Sequence, residues 1–217
     1  MKSEFDSIIA ALAKNNIEGI YAENSAAARE IVRGMLFDGC TITSGGSMSL
    51  TESGVLDILK EPCYKFFDRT RAGITDEERM QAQKESIGGD FYFCSSNAVT
   101  QNGELVNVDG NANRVAAICN GPKKVIMIVG KNKIVPDIKS GFLRVKKQAA
   151  PKNCVRLGAD TPCAKLGHCV SLLKTDNPEM TDGCASERRI CIEYLVTARQ
   201  REKNRITVIL VDENLGF

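Results

Sequence analysis

The sequence predicts an α/β protein built on a mainly parallel sheet with helices on both faces. Three observations predict it. Segments with helical apolar spacing alternate with short β-prone runs as far as residue 150, the pattern of parallel strands joined by crossover helices. Val125 to Val129 is an unbroken apolar run, the mark of a strand buried on both faces. The chain has 217 residues, 43% of them apolar, and no internal repeat, which suits one domain with a sizeable core.

The elements follow in order. Phe5, Ile8, Ile9 and Leu12 recur at helical spacing. A strand over Gly19–Tyr21 precedes a helix over Ala26–Leu36, with Ser25 as N-cap and Asp38-Gly39 as stop. Cys40–Thr43 is a strand ending at Gly45-Gly46. Ser49-Leu50-Thr51-Glu52 reads as a capping box opening a helix to Lys60, and Thr75 to Glu78 as a second box opening Asp76–Ile87. Tyr64–Phe67 and Phe91–Cys94 are strands. Asn102-Gly103 between Ala98 and Val108 signals a hairpin. Asn113–Cys119 and Lys139–Lys147 are helices. Beyond Pro151 the composition turns to Cys, Gly, Pro and Asp, and 151–191 reads as an excursion from the domain. Ile192–Thr197 and Ile206–Val211 are closing strands that rejoin the sheet.

Composition excludes several partners. Lys plus Arg (29) nearly balances Asp plus Glu (27), a net charge of +2, so no basic field exists for a phosphate backbone. Aromatic residues are 6%, with no Trp to stack on bases. No apolar stretch reaches the ~18 residues of a membrane span. The N-terminus, MKSEFDSIIAALAKNN, lacks the layout of a signal peptide. These features predict a cytoplasmic protein that binds neither nucleic acid nor membrane. Disulfides are unexpected there, although the chain holds nine cysteines.

Several loops carry candidate chemistry. Gly45, Gly46, Ser47 and Ser49 lie between a strand and a helix, where backbone N–H groups can hold an anion. The spacing matches neither the dinucleotide fingerprint nor the P-loop, and an ordinary tight turn fits equally. Asp109, Gly110, Asn113 and Arg114 follow the hairpin. Asp109 suits a base or hydroxyl acceptor, and Arg114 an anion clamp. An Asx-type turn capping a helix also fits. Asn132 and Lys133 follow the most apolar strand, and Asn97 follows another. All lie where strands end, the place where open α/β sheets bind ligands. Glu104, beside the hairpin turn, is a further candidate carboxylate.

Cys163, Cys169, Cys184 and Cys191 are spaced C-x5-C-x14-C-x6-C. Four thiolates can hold zinc or an iron–sulfur cluster; scattered loop thiols are the alternative. His168, the only histidine, is a substitute ligand. Cys40, Cys63, Cys94 and Cys119 are expected as small core residues.

Gly45-Gly46-Ser47, Gly103-Glu104-Leu105-Val106-Asn107, Asp109-Gly110-Asn111-Ala112-Asn113-Arg114-Val115-Ala116 and Gly121-Pro122-Lys123-Lys124-Val125 occur in order along the chain. Gly130-Lys131-Asn132-Lys133-Ile134-Val135, Thr161-Pro162-Cys163-Ala164-Lys165 and Leu215-Gly216-Phe217 follow them. With these motifs the chain resembles the LUD-domain family, the lactate-utilisation proteins of the LutC/YkgG type. The resemblance implies a Rossmann-like three-layer sandwich similar to the NagB/RpiA/CoA-transferase class. It also implies oxidation of lactate, a 2-hydroxy acid, to pyruvate alongside iron–sulfur partner subunits. Relatives read Cys-x2-Cys where Cys169 is followed here by Val170-Ser171-Leu172. An insertion of about a dozen residues separates the second and third cysteines, a length that costs loop closure little.

Three functions follow. The first is a LUD-type subunit, catalytic or accessory, binding a small anionic ligand at the strand ends. The second is a stand-alone isomerase or CoA-transferase-like enzyme, with Glu104 or Asp109 as base or nucleophile. The third is a metal-binding regulatory or interaction module centred on the cysteines. A homo-oligomer is compatible with each.

Overall fold

The computed structural model describes residues 2–69 and 71–217, with side chains from Glu4 onward. Its strands are β1 (Glu18–Ala22), β2 (Thr41–Ser44), β3 (Lys65–Phe67), β4 (Phe91–Cys94) and β5 (Ala98–Thr100). They continue with β6 (Leu105–Asp109), β7 (Lys124–Gly130), β8 (Ile134–Val135), β9 (Glu193–Thr197) and β10 (Ile206–Val211). The helices are α1 (Lys2–Lys14), α2 (Ser25–Met35), α3 (Met48–Glu52), α4 (Val55–Leu59) and α5 (Asp76–Gly88). After them come α6 (Asn113–Asn120), α7 (Ile138–Arg144), α8 (Ala150–Arg156) and α9 (Pro162–Leu166).

The central sheet has the order β1-β10-β7-β4-β2-β3, and every pairing in it is parallel. Alternation along β7 explains why its run is wholly apolar. Val125, Met127 and Val129 pack on the face that carries Phe5, Ile8 and Leu12 of α1. Ile126 and Ile128 pack on the opposite face with Val32, Leu50, Val55 and Leu59 from α2, α3 and α4. Each face buries its own cluster, so no position from Val125 to Gly130 is left open to water.

The hairpin is larger than expected. It joins two further strands in a second sheet, β8-β5-β6-β9. Val99 and Leu105 face the α1 cluster, while Ala98, Val106 and Val108 pack under Phe142, Val145 and Ala150. The expected three layers therefore gain an outer sheet and its covering helix. Of the two closing strands, β10 enters the central sheet, whereas β9 pairs with β6.

Three local expectations are corrected. The helix expected from Ser49 to Lys60 is α3 and α4, broken at Gly54, whose φ is 72°. Its N-cap is Ser47, whose Oγ accepts from the Leu50 N–H. Ser49 does not cap because its hydroxyl is buried and bonded elsewhere. Likewise Asn24, not Ser25, caps α2. The third correction concerns residue 151: α7 runs through a π-helical turn, Val145–Ala149, into α8. Pro151 follows that turn and gives the continuous helix no N–H, yet the helix runs on to Arg156, so the irregular excursion begins only after Leu157. The capping box at Thr75 and Glu78 forms as expected.

Candidate functional site

Strand order locates the site. The chain passes from β2 outward to β3, then returns to place β4 on the other side of β2. The connections thus diverge between β2 and β4, the crevice where open α/β sheets accept ligands. A cavity of about 290 Å³ lies there. Gly46 and Ser47 after β2, and Ser95, Ser96 and Asn97 after β4, line it. Asp109, Gly110, Asn113, Arg114 and Lys133 complete the wall expected from the sequence.

The remaining expected residues stand behind that wall or away from it. A Cβ on Gly45 would lie 2.8 Å from the buried Tyr92 hydroxyl, so Gly45 serves close packing. Ser49 is fully buried and donates to the Leu215 carbonyl at 3.1 Å. The Asn132 side chain accepts from the Leu215 N–H and donates to the Gly216 carbonyl, tying the tail to the loop after β7. Glu104 is not a cavity residue. It bonds Thr100 at the hairpin turn, and the length of β6 puts it about 17 Å from Asp109 along the strand.

Asp109 and Arg114, both on the cavity wall, are bonded to each other. Arg114 Nε donates to Asp109 Oδ1 at 2.9 Å, and the N–H groups of Arg114 and Val115 donate to Oδ2. The guanidinium also donates to the Ser95 and Val108 carbonyls and to Asn97 Oδ1. This network joins the loop after β4 to the end of β6 and the start of α6. The expected base and anion clamp are therefore first of all the frame of the cavity.

Lys133 is 3% exposed, and its Nζ donates to Ser49 Oγ at 2.7 Å and Ser95 Oγ at 3.0 Å. Burial, with Arg144 and Arg114 nearby, pushes its ammonium down to about 7. Arg144 holds the same loops through the Asn97 and Asn132 carbonyls, and burial lowers it to about 10.

Sequence reasoning missed Arg69, Asn153, Arg156, Ile190 and Phe217, which also line the cavity. Arg69 follows β3, so its place after a strand was a usable signal. Arg156 comes from α8, and nothing in its local pattern marks it. Its guanidinium reaches within 3.6 Å of the Cβ position of Gly46, and its Nε donates to Asn153.

Cys163, Cys169, Cys184 and Cys191 line a second, small hollow with Phe142, Val145 and Tyr194. Among the described residues, no three His, Cys, Asp or Glu side chains stand at the distances of a single bound ion. Cys154, which the spacing did not suggest, has its Sγ 3.7 Å from that of Cys163. Burial raises the Cys163 thiol to about 11. His168 bonds the Cys169 carbonyl instead of facing the hollow. Cys40 and Cys94 are core residues as expected, but Cys63 and Cys119 are exposed.

Comparison with known proteins adds the following. The profile of the LUD domain matches residues 5–211. Among solved structures, a DUF162 family protein from Deinococcus radiodurans aligns at 12% identity and a TM-score of 0.48, over 97% of this chain and 94% of that one. The delta subunit of eIF2B from Chaetomium thermophilum aligns at 19% and 0.36, over 53% and 49%. Ribose 5-phosphate isomerase from Plasmodium falciparum aligns at 14% and 0.33, over 52% and 52%. No curated protein matches the chain in sequence. Among the described residues, no helix is long and apolar enough to cross a membrane.

Proposed function

Because the chain belongs to the LUD domain family, which is linked to lactate utilisation, we propose that it is a subunit of a system oxidising lactate or a similar 2-hydroxy acid to the 2-oxo acid. The cavity between β2 and β4 binds the small carboxylate, and electrons pass to iron–sulfur partner subunits. One observation carries this reading. The cavity is lined by Arg69, Arg114, Lys133 and Arg156, against the single acidic residue Asp109, which Arg114 already neutralises. Its remaining charge is positive, and its small size suits a compact anion. Gly46 lets the ligand approach the backbone beneath Arg156, a bidentate donor for carboxylate or phosphate.

Thermal-shift titration with lactate, pyruvate, sugar phosphates, CoA and nucleotides tests the reading. A small carboxylate is expected to stabilise the wild type. Arg156→Ala should weaken that response about tenfold or more, the loss of one charge-assisted contact. Absence of any response, or an equal one in the variant, sinks it.

A second reading concerns the thiols. Four soft donors drawn from distant points of an irregular segment around one hollow suit an iron–sulfur cluster or zinc. We propose that Cys163, Cys169, Cys184 and Cys191 hold it, the metal drawing them inward and ordering the excursion. Anaerobic purification with metal and sulfide analysis decides. A metal content unchanged by Cys163→Ser with Cys191→Ser leaves the cysteines without that role.

A further inference from the structure

Lys133 is the least ordinary group of the cavity. It lines the hollow although it is 3% exposed. Its two hydrogen-bond partners are the neutral hydroxyls of Ser49 and Ser95. Among the described residues no carboxylate forms an ion pair with it, and Arg114 and Arg144 lie on its electrostatic horizon. An ammonium placed there has no ion-paired carboxylate and meets two cations, whose effect outweighs the opposing charge of Glu52. An uncharged amine has none of that cost. It keeps donors for the serines and exposes a nucleophilic lone pair toward the hollow.

We propose that Lys133 is a nucleophile that condenses with the carbonyl carbon of a small 2-oxo carboxylate held in this cavity. The proposal rests on the anion-binding reading above and adds a covalent step to it. The carboxylate sits against Arg156 and Arg69, which directs the neighbouring carbonyl toward Nζ. The Nζ lone pair forms the C–N bond, and the carbonyl π pair moves to oxygen. That oxygen takes one proton from nitrogen, giving a carbinolamine. It then leaves as water with the second amine proton, giving the imine. Ser95 Oγ, 3.0 Å from Nζ and itself a cavity residue, is placed to relay those protons. The step consumes no oxidant or reductant.

The lowered proton affinity of the amine supports this chemistry. Near neutral pH, a lysine with a pKa of about 7 is neutral roughly a thousandfold more often than an ordinary surface lysine.

The test is borohydride trapping on the full-length chain at neutral pH. Pyruvate and glyoxylate are the probes, and lactate, which has no carbonyl, is the control. Intact mass and peptide mapping read the product. The expected result is one reduced adduct, on Lys133, labelled at least about tenfold over any other lysine and missing with lactate. Lys133→Arg should abolish the adduct with the fold retained. Should that variant fail to fold, mapping of the wild type decides alone. Pyruvate that stabilises the protein yet leaves Lys133 unlabelled overturns the proposal and spares the anion-binding reading. No stabilisation by any anion, together with no adduct, overturns both.

Discussion

Arg114 and the carboxylate of Asp109 are joined twice, by the guanidinium Nε to Oδ1 at 2.9 Å and by the Arg114 backbone N–H to Oδ2 at 2.9 Å. Both side chains are largely shielded, at 15% and 13% exposed. A pair this shielded and this fully bonded is costly to break from one side only, because the partner is left charged and unmatched.

Arg114→Ala is therefore expected to lower stability by about 3 kcal/mol. Arg114→Lys should recover little, since one ammonium cannot serve Asp109, Asn97 and two carbonyls in a planar fork. Urea unfolding midpoints check both; a change under about 1 kcal/mol in Arg114→Ala means the frame is redundant.

Lys133 makes stability depend on pH. Its folded value lies near 7, against about 10.4 in an unfolded chain. Between those values the unfolded state holds more protons, so this group's contribution to stability rises as pH rises. The gain is about 2 kcal/mol from pH 7 to 9. Arg144, Arg114, Glu52 and Cys94 surround it electrostatically, so the comparison is wild type against Lys133→Met at each pH. Lys133→Met should be the more stable form at pH 7, with the advantage shrinking toward pH 9. An advantage that does not change with pH contradicts the lowered value.

Gly45→Ala drives a methyl group against the Tyr92 hydroxyl, 2.8 Å from the Cβ position. Tyr92 is 2% exposed and hemmed in by the core. The expected cost is about 1–3 kcal/mol, as for other overpacked sites. Gly45→Ala with Tyr92→Phe, which removes the clashing oxygen, should recover most of it. No recovery in the double variant places the strain elsewhere.

The chain's last residues belong to the site as much as its loops do. Leu215 is 4% exposed in the α2–α4 cluster, and its carbonyl accepts from Ser49, the same hydroxyl that receives Lys133. Gly216 turns the chain with φ 59°, where a Cβ would lie 2.7 Å from Ser49 Oγ. Leu215→Ala should cost about 2–5 kcal/mol and loosen Lys133 indirectly. Trapping efficiency and melting temperature should fall together; a normal melt with lost trapping is the contrary outcome.

Local sequence determined the elements and which ends of them are polar. The apolar run of β7, the Thr75–Glu78 capping box and the Asn-Gly hairpin are short-range signals, complete within a few residues. Because parallel strands all point one way, the loops after β2, β4 and β7 had to open on the same rim. That is why Gly46, Asn97 and Lys133 were legible as one group, whereas Asp109 ends β6 of the second sheet and meets them only in the folded chain. What each does there was decided by partners far along the chain. Arg114 spends its donors on residues 95, 97, 108 and 109. Glu104 is carried to the far end of its strand. Arg156 arrives from α8, and the hydroxyls holding Lys133 come from residues 38 and 84 positions away. Periodicity reports which face of an element is apolar; desolvation and hydrogen-bond satisfaction depend on what closes over that face, and only the folded chain brings those groups together.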